Sequence, residues 1–192
     1  MASVRTGQQA VMVVVDVQAG VVAQAWDRDR VVGNVALAVE RARAQGVPVI
    51  WVQHHDADLP RDSAEWQWAT DLQPAPGELC IHKSHNSAFE QTPLEADLAR
   101  LGATHIVLAG ASTNWCIRAT AYAALERGYD LTLVQDAHTT GDIPLEGGDR
   151  ILAAHLVRDL NFAVTWLSYP GRRNGIAPAA TLDFTAAVGA PT

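Results

Sequence analysis

An open, mostly parallel α/β sheet of six strands is the fold that the sequence predicts. Two observations carry that prediction. Six short apolar runs alternate along the chain with segments of helical period. The first run, Val11-Met12-Val13-Val14-Val15, is apolar without a break, the pattern of a strand covered on both faces. The 192 residues suffice for one sizeable core and read as a single domain over 1–192, with its core at about 10–167 and a tail over 170–192. Apolar residues make up 48% of the chain, which excludes a disordered protein.

Each element has its own justification. Residues 1–9 are small and polar and read as a loose tail. The run 11–15 is the first strand and ends in Asp16-Val17-Gln18. A helix over 29–45 sets Val31, Val35, Val39 and Ala42 on one face and stops at Gly46. The second strand runs from Val47 to Gln53, with Pro48 near its start, where proline is tolerated. The polar stretch 54–77, with Trp66 and Trp68, is longer than an ordinary connection. A short strand over 79–82 leads to Lys83. A helix over 93–101 follows, with Thr92 as cap, proline at its first position, and Leu94, Leu98 and Leu101 as its apolar face.

The fourth strand, 104–109, enters a turn of small and hydroxylated residues at Gly110. Thr113 is expected to cap a helix over 114–127 with Cys116 in its first turn. The fifth strand, 129–135, ends in Asp136-Ala137-His138-Thr139-Thr140. A helix over 151–160 follows, with Leu152, Leu156 and Leu160 in register, and Phe162 to Leu167 reads as the sixth strand. From Pro170 the chain is rich in Pro, Gly and Ala and lacks a period. It reads as a tail that packs on the domain or on another subunit.

Composition narrows the function. A net charge of −7, with scattered basic residues, argues against a nucleic-acid surface, and no nucleic-acid partner is expected. Cys80 and Cys116 form neither a disulfide framework nor a CxxC pair, so a reducing cytoplasm is the expected setting. No apolar stretch is long enough to span a bilayer, and no membrane partner is expected.

Ligands of open α/β sheets bind beyond the carboxyl ends of the strands. Asp16, Lys83 and the Cys116 turn each follow such an end. A thiol at a helix N-terminus meets unpaired N–H groups and the positive end of the macrodipole, which favour a nucleophilic thiolate. A buried structural cysteine is the alternative. Beside a nucleophile, Asp16 would accept the thiol proton and deliver it to a leaving amine. Lys83 would favour the thiolate and orient Asp16. The N–H of Cys116, with one from the preceding turn, would hold the oxyanion. An aspartate at a strand end equally forms a turn, and a lysine alone is commonly solvated.

Four segments together resemble the isochorismatase-like cysteine hydrolases, a superfamily that includes nicotinamidases, N-carbamoylsarcosine and related amidohydrolases, and isochorismatase itself. They are Val14-Val15-Asp16-Val17-Gln18, Lys83-Ser84-His85-Asn86-Ser87-Ala88-Phe89, Gly110-Ala111-Ser112-Thr113-Asn114-Trp115-Cys116, and Asp136-Ala137-His138-Thr139. The resemblance covers about residues 10–167. It implies a three-layer α/β/α sandwich with a six-stranded, mainly parallel sheet, and a triad of Asp16 (acid/base), Lys83 and Cys116 (nucleophile). It implies a cis peptide bond joining Ala111 to Ser112, with the Ser112 N–H beside that of Cys116 as the oxyanion hole. It further implies hydrolysis of a C–N bond in a small amide, ureido or lactam-like substrate through a thioester. No organic cofactor is needed, and the chain is expected to form a homo-oligomer.

The sequence departs from the nicotinamidases, which bind a divalent metal through an Asp-x-His pair and a later histidine. Here Gln53-His54-His55-Asp56-Ala57-Asp58 sets histidine before aspartate, and His82 and His85 lie at no recognised ligand spacing. A polar loop, with His54 facing the pocket as a donor, is favoured over a metal site, and no metal is assigned. The presence of Cys116 disfavours isochorismatase itself. Gln18, Trp26, His54 and Trp115 are the candidate substrate contacts. Gln18 equally caps a turn, and the tryptophans equally pack a core or an interface. His138 and Thr139 are expected to fix a turn, His155 to be packed or at an interface, and Cys80 to be inert. Two rivals stand beside the hydrolase reading. One is a catalytically silent homologue that binds a small molecule or a partner, against which the intact Asp16, Lys83 and Cys116 set argues. The other is a Rossmann-type nucleotide-binding domain, against which the turn 16–23 offers only Gly20 and no glycine-rich phosphate cradle.

Overall fold

In the first strand, β1 (Gln9–Val15), alternate residues enter different apolar layers. Val11, Val13 and Val15 pack in one, Ala10, Met12 and Val14 in the other. A strand buried on both sides must lie between two covering layers, and the rest of the chain supplies them. The computed structural model describes residue 2, residues 4–70 and residues 72–184. After β1 come α1 (Ala19–Val22), α2 (Arg28–Ala44), β2 (Val49–His54), β3 (Leu79–Lys83), α3 (Leu94–Arg100) and β4 (Ala103–Ala111). A π-helical turn (Thr113–Ile117) leads into α4 (Arg118–Glu126) and β5 (Asp130–Thr139). A two-residue antiparallel pair, β6 (Ile143–Pro144) and β7 (Arg150–Ile151), precedes α5 (Ala153–Trp166) and β8 (Asn174–Ala177).

The sheet order is β3-β2-β1-β4-β5-β8, and every neighbouring pair is parallel. Leu94 and Leu98 of α3, Ala121 and Leu125 of α4, and Leu160 and Val164 of α5 cover one face. Val32, Val35, Ala38, Val39 and Ala42 of α2 cover the other. The result is the three-layer α/β/α arrangement with a six-stranded parallel sheet. Among the described residues no helix is long and apolar enough to cross a membrane.

The C-terminal part differs from the sequence reading. Phe162–Leu167 is no strand, because α5 continues to Trp166. Its buried residues, Ala153, Val157, Leu160 and Val164, recur at helical spacing, while Leu152, His155, Phe162 and Trp166 are exposed. The sixth strand is β8, inside the segment read as a tail. It pairs with β5 from Leu131–Asn174 to Val134–Ala177, and the Asn174 amide donates to the carbonyls of Val164 and Leu167 at the end of α5. Beyond it, Ala179, Leu182 and Phe184 fill the α2 face, and the Arg41 guanidinium donates to the Leu182 carbonyl at 2.8 and 3.1 Å. Residues 185–192 of the expected tail lie outside the described residues.

The N-terminal segment is also less loose than expected. Arg5 donates to the Arg127 carbonyl at 2.7 Å and pairs with Glu95, and Ala2 is buried. Residues 1 and 3 lie outside the described residues. At α3 the N-cap is Pro93 rather than the expected Thr92, one residue later than the sequence reading; the Thr92 hydroxyl accepts the Leu94 N–H at 3.3 Å and donates to the Ala88 carbonyl.

The strand order reverses between β1 and β4, so a crevice opens at their carboxyl ends. Gly110 is what lets these strands meet there. It pairs with Val15 at φ +132°, and a Cβ on it would lie 1.9 Å from the Val15 carbonyl oxygen. Gly110→Ala is therefore expected to destabilise the fold by at least ~3 kcal/mol. Gly33→Ala in α2, where a Cβ meets nothing within 4 Å, should instead stabilise by ~1 kcal/mol. Thermal denaturation of the two variants checks both signs.

Candidate active site

Three side chains converge beyond the carboxyl ends of β1, β3 and β4. Lys83 continues the inward alternation of Ile81 in β3, and its side chain is fully buried. Asp16 arrives by breaking an alternation. As the next residue of β1 it would fall on the α2 face with Met12 and Val14. It takes φ +53° instead, a left-handed conformation that aspartate tolerates. Its N–H still bonds the Val52 carbonyl at 2.8 Å. Its carboxylate Oδ2 then lies 2.6 Å from Lys83 Nζ, with only 1% of its side chain exposed. Lys83 Nζ also lies 3.3 Å from Cys116 Sγ, 3.0 Å from the His85 carbonyl and 3.4 Å from His54 Nδ1.

Cys116 sits in the π-helical turn rather than in the first turn of an α-helix. The Ser112 carbonyl accepts the N–H groups of Trp115 and Ile117, each at 3.1 Å, and the Ala111–Ser112 peptide is cis. Thr113 does not cap a helix. Its hydroxyl pairs with His138 Nδ1 at 2.9 Å, because the end of β5 competes for it. His138 Nε2 meets Asn161 Oδ1 at 3.1 Å, and the Asn161 amide donates to the Gln135 carbonyl. Thr140 donates to Asn114 Oδ1 at 2.7 Å. Two hydrogen-bond chains thus tie the turn to the carboxyl end of β5. An irregularity makes this possible: Leu108 pairs with Leu133 but Gly110 with His138, so β5 bulges out and returns beside the turn.

Burial pushes the Cys116 thiol up to about 12; the Asp16 charge adds to this and the Lys83 ammonium opposes it. Desolvation thus opposes the helix-terminus argument for a standing thiolate. Burial also pushes the Asp16 carboxyl upward, against the pull of Lys83 and of a hydrogen bond with Cys116.

The remaining sequence candidates separate. Gln18 is fully buried, and its amide bonds the backbone: Oε1 accepts the His54 N–H, and Nε2 donates to the carbonyls of His54 and Trp66. His54 meets Lys83 through Nδ1 and Asp56 Oδ2 through Nε2, at 2.9 Å. Both ring nitrogens face protein groups, which corrects the expectation of a donor free for the pocket. Trp26 and Trp115 are 38% and 57% exposed and stand at the carboxyl edge of the sheet rather than in the core. Trp26 is held by the Thr139 hydroxyl and the Thr140 carbonyl. Among the described residues no three His, Cys, Asp or Glu side chains gather as a metal site. Sequence reasoning missed the Asp56–His54 pairing and Asn161. Asn161 gave no signal, since it fell between an expected helix and an expected strand.

A profile of the isochorismatase domain matches residues 10–148. Streptothricin hydrolase of Streptomyces noursei is 34% identical over 187 residues, covering 92% of this chain and 71% of that protein. The ureidoacrylate amidohydrolase RutB of Methylobacterium radiotolerans is 28% identical over 144 residues, or 58% of this chain, which spans 56% of that relative. The crystal structure of an isochorismatase from Pseudomonas putida KT2440 superposes with a TM-score of 0.80 at 28% identity, covering 92% of this chain and 91% of that one.

Two buried imidazoles give the fold an acid limit. Burial pushes His105 and His138 down to about 4. The unfolded chain therefore takes up protons first as pH falls through the ordinary histidine range, and stability present at neutral pH is lost toward pH 4. Each imidazole should remove ~3 kcal/mol by pH 4. His105→Gln keeps an acceptor or donor for Thr132 Oγ1, 2.9 Å from Nε2 in the native chain, and should flatten this loss. Urea denaturation of both proteins at pH 7, 6 and 5 measures it.

Proposed function

Because this chain belongs to the isochorismatase family of hydrolases, we propose that it is a cysteine-dependent hydrolase that cleaves the C–N bond of a small amide, ureido or lactam-like substrate. The observation that carries this reading is the buried trio, with one ammonium 2.6 Å from a carboxylate and 3.3 Å from a thiol sulfur. Relatives named as a hydrolase of streptothricin and as an amidohydrolase support the bond type.

Asp16 takes the thiol proton as Cys116 Sγ attacks the substrate carbonyl. The proton moves within the trio, so its total charge is unchanged, and the fixed Lys83 ammonium stabilises whichever neighbour is the anion. The N–H groups of Ser112 and Cys116 receive the oxyanion. Asp16 then protonates the departing nitrogen, which leaves a thioester on Cys116. Water, deprotonated by the same carboxylate, releases the acid and restores the thiol. Trp26 and Trp115 flank the substrate at the carboxyl edge. Gln18 acts by holding the loops. The chemistry needs no organic cofactor.

A panel of small amides, ureido compounds and lactams, assayed for ammonia release or ring opening, identifies the substrate. On any member turned over, Cys116→Ala and Cys116→Ser should abolish activity, and Asp16→Asn should lower kcat by about 10²–10⁴-fold. A fully active alanine variant would exclude the mechanism.

A further inference from the structure

The Lys83 ammonium has three N–H donors and four acceptors around it. Asp16 Oδ2, an ion-pair partner at 2.6 Å, and the His85 carbonyl at 3.0 Å are the two nearest. Cys116 Sγ at 3.3 Å and His54 Nδ1 at 3.4 Å are the two more distant ones. A neutral sulfur is a weak acceptor, whereas a thiolate attracts the ammonium by its charge. Which partner wins therefore depends on the state of the sulfur.

His54 is arranged to compete. Asp56 Oδ2 lies 2.9 Å from Nε2, and Asp56 Oδ1 accepts the N–H groups of Asp58 and Leu59. The hydrogen bond from His54 and those backbone bonds hold the Asp56 carboxyl below its ordinary value. An ionised carboxylate can only accept, so the network assigns the proton to Nε2 and a lone pair to Nδ1, toward Lys83. Gln18 clamps the His54 main chain at both its N–H and its carbonyl. Neither Gln18 nor Asp56 touches the sulfur; each fixes the imidazole that faces the lysine.

We infer that His54 is a positioning residue that holds the third Lys83 proton whenever the Cys116 sulfur is uncharged and yields it when the thiolate forms. This rests on the cysteine-hydrolase reading above. In the resting thiol and in the thioester, Lys83 stays charged and fully bonded through His54. During attack the same N–H turns to sulfur, while the thiol proton goes to Asp16. Lys83 gives up no proton at either stage, and the charge of the trio is conserved. Removing the imidazole leaves the third N–H only the sulfur, which favours the thiolate.

Iodoacetamide at fixed neutral pH tests this without any substrate, with peptide mass spectrometry reading Cys116 and Cys80 separately. His54→Leu should speed Cys116 alkylation by about three- to tenfold, the worth of one hydrogen bond to a charged group. His54→Asn, whose amide oxygen replaces the Nδ1 acceptor, should stay within about twofold of the native rate. Cys80 should not change in either. Asp56→Ala, at a half-exposed position, releases the tautomer and should speed Cys116 in the same direction, which keeps the inference testable if His54→Leu fails to fold. Unchanged or slower alkylation in the folded His54→Leu or Asp56→Ala protein, or equal rates for the leucine and asparagine variants, overturns it. Full amide hydrolysis by the Cys116→Ser protein would instead overturn the nucleophile reading, and this inference with it.

Discussion

The buried ion pair between Lys83 and Asp16 is the constraint on which the rest of the site depends. Both side chains are closed off from water, and the charged atoms lie 2.6 Å apart. Removing two such charges from water costs several kcal/mol per ion, and only tight geometry with further hydrogen bonds offsets that. The His85 carbonyl, the His54 imidazole and the Cys116 thiol supply those further partners. Apolar side chains of similar volume would fill the same space without the penalty. Packing alone therefore does not account for a pair at such a place, against a thiol.

The parallel sheet makes the pair possible. Lys83 ends β3 at the sheet edge, and Asp16 follows β1, with β2 between them. Neighbouring strands lie about 4.8 Å apart, so a long side chain is needed to cross β2. The residue it crosses is His54, which pairs with Lys83 in the ladder. The imidazole is therefore in the path of the ammonium by register alone. On the other side of β1, Gly110 brings β4 close enough for the cysteine turn to reach the same point.

The cysteine turn is held from the far side of the sheet. β5 bulges and returns beside β4, and His138 and Thr140 grip Thr113 and Asn114. His138 is neutral because burial pushes it down to about 4, so it bonds the threonine without placing a positive charge near the trio. Among the described residues the cation at the sulfur is Lys83, which the Asp16 carboxylate balances. The hydrogen bonds at Thr113 and Asn114 tie the turn to β5 on the side away from Lys83 and Asp16.

Local patterning determined much of the fold, because period is a property of neighbouring residues. Val11–Val15 and the apolar face of α2 were both legible in this way. Asp16, Lys83 and Cys116 were legible as strand-end residues, and a parallel sheet brings such ends to one edge. The end of α5 was misread because Phe162–Leu167 is short and rich in strand-forming side chains; only packing on the sheet separates Leu160 and Val164 from their exposed neighbours. The four residues of β8 carry no pattern and become a strand by pairing with β5. The left-handed turn at Asp16, the burial of the Cys116 sulfur and the Gln18 amide bonds to the His54 main chain were decided by tertiary structure. Each depends on desolvation and on partners far away in the chain, and a linear sequence holds neither.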